Sequence, residues 1–369
     1  VTVTVTNANG CSSQSSVIVN VEAAPTAIIA LASGSASEVC NGGQTTLEVT
    51  ITGGTAPFEI TYTDGVTSGL TETAHTSPYR FTVTLPANAT NAAKDFTYEL
   101  EDITYGMANT SIECSGKAVV TVNPTAEITT NLIDFPVCEG SIVSYQPFES
   151  NVDVSRISYE WVNDNPNIGL SMSGQGLIPS FQAENKIGAA TSANITVTPK
   201  YNGVQVCTGI SKTYKITVNP KPVFTVIKPS AICDGTPITL TENDVTGLRP
   251  LGSTVKFYED QICTQEVVTV TPSYTRVYYV QATSPAPENC LSDVQEITVT
   301  VNPNPELNSP LTATICSGER FEYTAASNLP NVSYSWTRAQ VTDISNPASS
   351  GNGGVIRETL INTGDDTVI

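Results

Sequence analysis

Apolar and polar residues alternate almost one for one along much of this chain. The stretches "TTLEVTIT" (residues 45–52), "ANITVTP" (193–199), "RVYYVQA" (276–282) and "QEITVTV" (295–301) place a branched or aromatic residue at every second position. A period of two marks a strand with one face buried. Val, Ile and Thr suit it because their stiff, branched side chains pack on a pleated surface. No stretch combines a helical apolar stripe with capping residues. The pattern predicts an all-β chain.

Signals then recur in a fixed order. "VCNG" (39–42), "VCEG" (137–140), "ICDG" (232–235) and "ICSG" (315–318) open successive blocks. They lie about 80 to 100 residues apart, one small domain each. The glycine suits a left-handed turn into the next strand. An aromatic strand follows: "FEITY" (58–62), "YEW" (159–161), "KFY" (256–258) and "YSW" (334–336). Recurrence at one place predicts a ring plugging a sandwich core; a carbohydrate-stacking platform is the other reading. A late cysteine comes next, at Cys11, Cys114, Cys207 and Cys290. The block closes with "VTVNP" (120–124), "ITVNP" (216–220) or "VTVNP" (299–303), and "VIVNV" (17–21) is a degenerate copy. Proline ends the strand by removing a donor, and the next block starts at once, which predicts stiff junctions.

These marks divide the chain. Residues 1–21 read as the C-terminal part of a preceding repeat, 22–124, 125–220 and 221–303 as three whole repeats, and 304–369 as the N-terminal part of a further one. Cysteine, aromatic, cysteine and closing strand is also the order of an immunoglobulin domain. The expected architecture is a linear rod of tandem Ig-like β-sandwich domains, each adding about 35–40 Å if strands of about ten residues run along its axis.

The cysteines read as staples. The expected pairs are Cys40 with Cys114, Cys138 with Cys207, and Cys233 with Cys290, each tying loops at one end of its own sandwich. Loops of about 55 to 75 residues would each contribute about 4 kcal/mol by restricting the unfolded chain. Cys11 and Cys316 are left for bonds to other repeats or outside the window. Cys263 stays open between a free thiol, an alternative partner within its repeat, and a bond outside it. Zinc would want CxxC pairs or histidines, and the chain has one histidine, His75. Paired cysteines at domain spacing predict an oxidising compartment and a secreted protein.

Composition narrows the partners. The chain carries 16 Lys+Arg against 35 Asp+Glu, a net charge of −19. That balance repels phosphate backbones and anionic lipid, so neither nucleic acid nor membrane is an expected partner. No apolar run is long enough to span a bilayer. Catalysis is not expected: His75 stands alone, and the adjacent acids Glu101–Asp102 and Asp365–Asp366 point to opposite faces of a strand. No cofactor is expected. "NDNPN" (163–167) and "YTDG" (62–65) offer oxygens that could meet Ca²⁺, though turn chemistry explains them equally. The sequons at Asn88, Asn109, Asn194 and Asn331 read as chance matches in a Thr-rich chain.

"TGGTAPFEITYTDG" (52–65), "KFYEDQICTQEV" (256–267), "RVYYVQAT" (276–283) and the recurrent "VNP" junction resemble repeats of very large Bacteroidetes surface proteins. Those include PKD-like and Ig-like arrays in SprB-type gliding-motility adhesins exported by the type IX secretion system. The PKD stretch Trp-Asp-Phe-Gly-Asp-Gly is replaced by "YEWVND" (159–164) and "YSWTRA" (334–339). "DTV" (366–368) is similar to the O-glycosylation motif of the same group, with Thr367 as acceptor. The resemblance implies a stalk or filament segment of a secreted, surface-attached adhesin, whose partners are neighbouring repeats of the same chain. Other readings are a module binding surface glycans or proteins, with residues 171–188 as the loop of interest, and a subunit polymerising by strand donation. Joined tail to head, "GDDTVI" (364–369) runs into "VTVTVTNANGC" (1–11) as one continuous strand.

Overall fold

The computed structural model describes residues 1–19, 25–106 and 113–369. The chain forms two compact units, residues 1–220 and 221–369, taken in turn. The boundary expected at residues 21/22 and the sequon Asn109 lie outside the described residues.

The first unit opens with an antiparallel hairpin, β1 (Thr2–Thr6) and β2 (Ser12–Ser16), exposed throughout. A sandwich follows. Its strands are β3 (Thr26–Leu31), β4 (Glu38–Cys40), β5 (Gln44–Thr52), β6 (Phe58–Thr63), β7 (Leu70–Ala74), β8 (Tyr79–Thr84), β9 (Lys94–Tyr105), β10 (Glu113–Ser115) and β11 (Ala118–Asn123). One sheet has the order β10-β3-β5-β8 and the other β4-β11-β9-β6-β7. The expected alternation is present: Leu47, Val49 and Ile51 of β5 face Ile60, Phe96, Val120 and Val122 across a closed core. Strand β4 leaves the sheet of β3 and runs parallel to β11, setting Cys40 beside Asn123.

The second repeat uses the same plan, with β12 (Phe135–Cys138), β13 (Ile142–Val143), β14 (Ile157–Asn163), β15 (Ser173–Gln175), β16 (Phe181–Gln182), β17 (Thr191–Asn202), β18 (Val206–Thr208) and β19 (Lys212–Asn219). One sheet runs β12-β19-β17-β14-β15 with β18 beside β17, and β13 pairs with β16. Residues 171–188 are not a free loop: β15 pairs with β14, β16 pairs with β13, and Ile178 is fully buried between them. The reason is local. Gly174 sits beneath the indole of Trp161, where a Cβ would lie 2.2 Å from the ring, so a glycine-rich stretch becomes a strand because only it fits the tryptophan. Tyr159 and Trp161, and Phe58 in the first repeat, are core rings.

The second unit contains β20 (Val223–Val226), β21 (Ile232–Cys233), β22 (Ile238–Thr239), β23 (Val245–Arg249), β24 (Thr254–Tyr258), β25 (Glu266–Val267), β26 (Thr269–Val270), β27 (Arg276–Thr283), β28 (Gln295–Val299) and β29 (Val301–Asn302). The sheet β25-β24-β27-β28 packs Phe257, Tyr278, Val280 and Ile297 into a third core. Residues 304–369 add only two pairs, β30 (Arg320–Thr324) with β33 (Val355–Thr359) and β31 (Ser335–Arg338) with β32 (Ser349–Asn352). The fold class is tandem Ig-like β-sandwiches, as the alternation predicts. The glycines of the four Cys-x-Gly turns, Gly42, Gly140, Gly235 and Gly318, all have positive φ.

Burial raises the phenol pKa of Tyr98 and Tyr214 to about 12, and neither hydroxyl has a hydrogen-bond partner. The unfolded phenol ionises near its ordinary value of 10.0. Above that pH the unfolded state loses a proton that the folded state keeps, so this stability is present below pH 10 and is lost as pH rises toward 12. Alkaline titration should therefore unfold the first two repeats together with the appearance of tyrosinate absorbance. Tyr98→Phe and Tyr214→Phe should move that transition to higher pH.

Candidate functional site: the joint between the first two repeats

The chemistry of the joint begins with strand polarity. Strand β11 ends at Asn123, where the chain leaves the first sandwich, and β4 runs parallel to it, so Cys40 lies at that exit end. The β17–β19 connection of the second repeat turns at the opposite end of its sandwich, the end nearest residue 125. There Ile210 bridges to Glu127 of the entering chain, and Cys207 pairs across to Tyr201. An early cysteine at one repeat's exit thus meets a late cysteine at the next repeat's entrance. Cys40 and Cys207 form a disulfide with Cα atoms 5.4 Å apart, joining positions 167 residues distant.

This pairing replaces the expected ones. Cys40 is not joined to Cys114, which is a free, half-buried thiol on β10. Cys138 is not joined to Cys207, and Cys233 is a free, exposed thiol, so it is not joined to Cys290. The physical reason is distance. In the first repeat the six residues of β11 separate the late cysteine from the early one, about 20 Å of strand, whereas a disulfide needs Cα atoms within about 7 Å. Cys138 and Cys290 are not free thiols. Cys11, in the β1–β2 turn, and Cys316 are free and exposed. Cys263 is a half-buried thiol in the turn after β24, and its pKa is raised by burial and then by Asp260.

Around the disulfide the joint is polar and closely fitted. The Glu38 carboxylate accepts from Asn123 Nδ2 at 2.6 Å and from the Val204 N–H at 2.7 Å. Asn123 Nδ2 also donates to the Gln205 carbonyl at 3.3 Å. A Cβ on Gly203 would lie 1.9 Å from Glu38 Oε1, and one on Gly209 would lie 2.1 Å from the Ala126 carbonyl. Gly203 therefore lets the β17–β18 turn approach the first repeat, and Gly209 lets the chain after β18 approach the entering chain. Ala126, Val152, Tyr201 and Cys207 form a small buried cluster beneath the bond, with Cys40 and Ile157 packed on it. A second contact pins the linker: Asn41 Nδ2 donates to the Thr125 hydroxyl and to the Asn88 carbonyl.

Sequence reading did not find Glu38, Asn123, Gly203 or the buried Asn88. Asn88 is read there as a sequon, yet its amide donates to the Ala92 and Val122 carbonyls inside the sandwich. The signal was the recurrent Asn before Pro in "VNP", which here is a joint residue as well as the end of a strand. The oxygens considered for Ca²⁺ accept protein hydrogen bonds: Asp64 closes a turn by accepting from the Val66 and Thr67 N–H groups, and Asp164 accepts from the Asn194 N–H and Nδ2, 30 residues on. Hydrogen bonds from Asn194 hold the Asp164 carboxyl below its ordinary pKa. Among the described residues no cluster of three or more His, Cys, Asp or Glu could hold a metal. His75 lies exposed after β7, and Thr367 is exposed near the last residues.

Residues 136–222, which take in most of the second repeat, match the family model described as a PKD-like domain. No curated protein matches the chain. Among solved structures the chain is similar to Drosophila OTK extracellular domains 3–5, at 11% identity over 74% of this chain and 97% of that one, with a TM-score of 0.27. It is also similar to human CDH23 EC21-23, at 13% identity over 76% of this chain and 100% of that one, TM-score 0.29. A third is the structure of the CbhA fibronectin(III)-like modules of Clostridium thermocellum, at 15% identity over 52% of this chain and 94% of that one, TM-score 0.22.

Non-reducing peptide mapping should recover a Cys40–Cys207 peptide and no Cys40–Cys114 peptide. Gly203→Ala should destabilise the first unit by about 1 kcal/mol in denaturant titration, because its methyl would push the Glu38 carboxylate off Asn123 and the Val204 N–H. Glu38→Ala in the same chain should relieve part of that loss. Burial and the Asp102 charge raise the Cys114 thiol pKa. Alkylation at neutral pH should therefore label the exposed Cys233 and Cys316 before Cys114, and raising the pH should close the gap.

Proposed function

We propose that this chain is a tension-carrying stalk segment of a secreted surface adhesin, whose role is to hold a distal element away from the cell. The observation that carries the reading is the Cys40–Cys207 bond across the joint of two sandwiches. A bond inside one sandwich would protect that domain alone. A bond from one repeat to the next places a covalent route between them, so that pulling force passes from residue 40 to residue 207 without crossing the strands between. The oxidised pair also supports an extracellular location. The resemblance of the repeats to those of Bacteroidetes gliding adhesins, exported by the type IX system, supports the surface assignment. Neighbouring repeats are then the first partners, and surface glycans or proteins belong to whatever the stalk presents.

The reading assigns the chain no catalytic step and no cofactor. What supports this is the placement of its candidate chemistry: His75 is exposed and solitary, and Glu101 accepts from the Gly69 N–H as a turn acceptor. A PKD-like repeat at residues 136–222 is compatible with a structural or adhesive module.

Single-molecule pulling from the two termini tests the proposal. With the bond intact, the 167 residues it spans stay hidden, and reduction should release at least about 600 Å of additional contour length at about 3.6 Å per residue. Equal extension before and after reduction, or saturable glycan binding by the isolated chain on an array, would replace the stalk reading with that of a binding module.

A further inference from the structure

Asparagine followed by glycine is a reactive pair. Glycine carries no side chain to block attack of its own nitrogen on the preceding side-chain amide. The chain holds four such pairs, Asn9–Gly10, Asn41–Gly42, Asn202–Gly203 and Asn352–Gly353. The fold treats them differently. The Gly10 N–H donates to the Asn7 carbonyl at 3.0 Å and the Gly353 N–H to the Tyr334 carbonyl at 2.9 Å, so at both the attacking nitrogen is committed. At Asn41 the amide is committed: Oδ1 accepts from the Asn88 N–H, and Nδ2 donates to the Asn88 carbonyl and the Thr125 hydroxyl. At Asn202 neither is held. Among the described residues the Gly203 N–H and Asn202 Nδ2 have no hydrogen-bond partner.

The groups around Asn202 favour the same reaction. Ser158 Oγ, on β14, donates to Asn202 Oδ1 at 3.1 Å. That bond draws electrons from the amide carbon and strengthens when an oxyanion forms there. Arg156, in the turn before β14, donates through Nη1 to the Asn202 backbone carbonyl at 3.4 Å. This carbonyl is conjugated with the Gly203 nitrogen, so the guanidinium stabilises that nitrogen in its deprotonated form. Glu38 Oε1, from β4 of the first repeat, occupies the place a Cβ of Gly203 would take. It already accepts from the next N–H along, that of Val204, at 2.7 Å. A carboxylate therefore stands within one peptide's rotation of the proton that must leave. Asn202 and Gly203 are half-buried, so water reaches them.

We infer that Asn202–Gly203 is a self-modification site, through which the joint between the first two repeats changes as the protein ages. The Gly203 nitrogen gives its proton to Glu38 and attacks Asn202 Cγ. The new N–Cγ bond closes a five-membered imide. The Cγ–Nδ2 bond breaks, and Nδ2 leaves as ammonia with the proton returned from Glu38. Water then opens the imide. Addition at the side-chain carbonyl gives aspartate, and addition at the backbone carbonyl gives isoaspartate. The only co-reactant is water.

The product acts on the joint. Either outcome puts a negative charge one residue from the contact of Gly203 with Glu38. Isoaspartate also lengthens the backbone by one carbon just before Val204 and Gln205, whose N–H groups hold Glu38. The Cys40–Cys207 bond takes no part in the reaction. The repeats stay tethered while the fitted polar contact between them is lost. The inference goes beyond the stalk reading and does not rest on it.

Incubation of the full chain at neutral pH and 37 °C, followed by peptide mapping in a mass spectrometer, tests it. Conversion of amide to acid should appear first at Asn202, at least about tenfold ahead of Asn9, Asn41 and Asn352. In the urea-unfolded chain the four sites should react at similar rates. Ser158→Ala should slow Asn202 about tenfold in the native chain and leave its unfolded rate unchanged. Glu38→Gln, which keeps an oxygen for the Val204 N–H but cannot take a proton, should slow it as well. Asn202 reacting no faster in the native chain than in the unfolded one, or behind Asn9 or Asn352, overturns the inference. That comparison needs no variant, so it decides the question even if a substituted chain fails to fold.

Discussion

Each complete repeat depends on a parallel pairing that an ordinary meander would lack. The short strand carrying Val/Ile-Cys crosses from one sheet to the other and runs beside the closing strand, with Cys40, Cys138 and Cys233 opposite Asn123, Asn219 and Asn302. Parallel alignment fixes polarity. It places every early cysteine at the end where the chain leaves the sandwich, while the late cysteines fall near the opposite end, in or after the last hairpin. No rotation of side chains brings the two together within one repeat, because the closing strand lies between them. They meet only across a joint.

The joint between the first two repeats shows how such a meeting is made specific. The disulfide closes a loop of 167 residues, which in the chain-entropy picture disfavours the unfolded state by about 5 kcal/mol. Glu38 and Asn123 orient the approaching turn through backbone donors and acceptors. Gly203 and Gly209 remove the side chains that would hold the backbones apart. The other early cysteines are preceded by Pro136, Ala231 and Thr314 where Cys40 has Glu38, so the carboxylate belongs to this joint and not to the repeat in general.

Stability and exposure are distributed accordingly. The three sandwiches each have a closed core, whereas the β1–β2 hairpin is exposed throughout and the strands of residues 304–369 alternate between half-buried and exposed positions. Alternation makes the strand, but a second layer makes the core.

The sequence by itself determined the strands, the repeat and the turns. Period-two alternation, a glycine two residues after the early cysteine and proline after the closing strand are local, and local sterics decide them: all four of those glycines adopt positive φ, and the aromatic strands of the complete repeats lie in cores. It did not determine which sulfurs bond. Spacing along the chain pairs Cys40 with Cys114, but strand direction sets them at different ends, and direction follows from the crossover of β4, which leaves no periodic mark. Residues 171–188 were unreadable for a related reason, since a Ser- and Gly-rich stretch becomes a strand only because Trp161 lies over Gly174. Pairings between segments distant in sequence are tertiary facts: they depend on which faces and ends the sheets bring together, and alternation within a segment is blind to that.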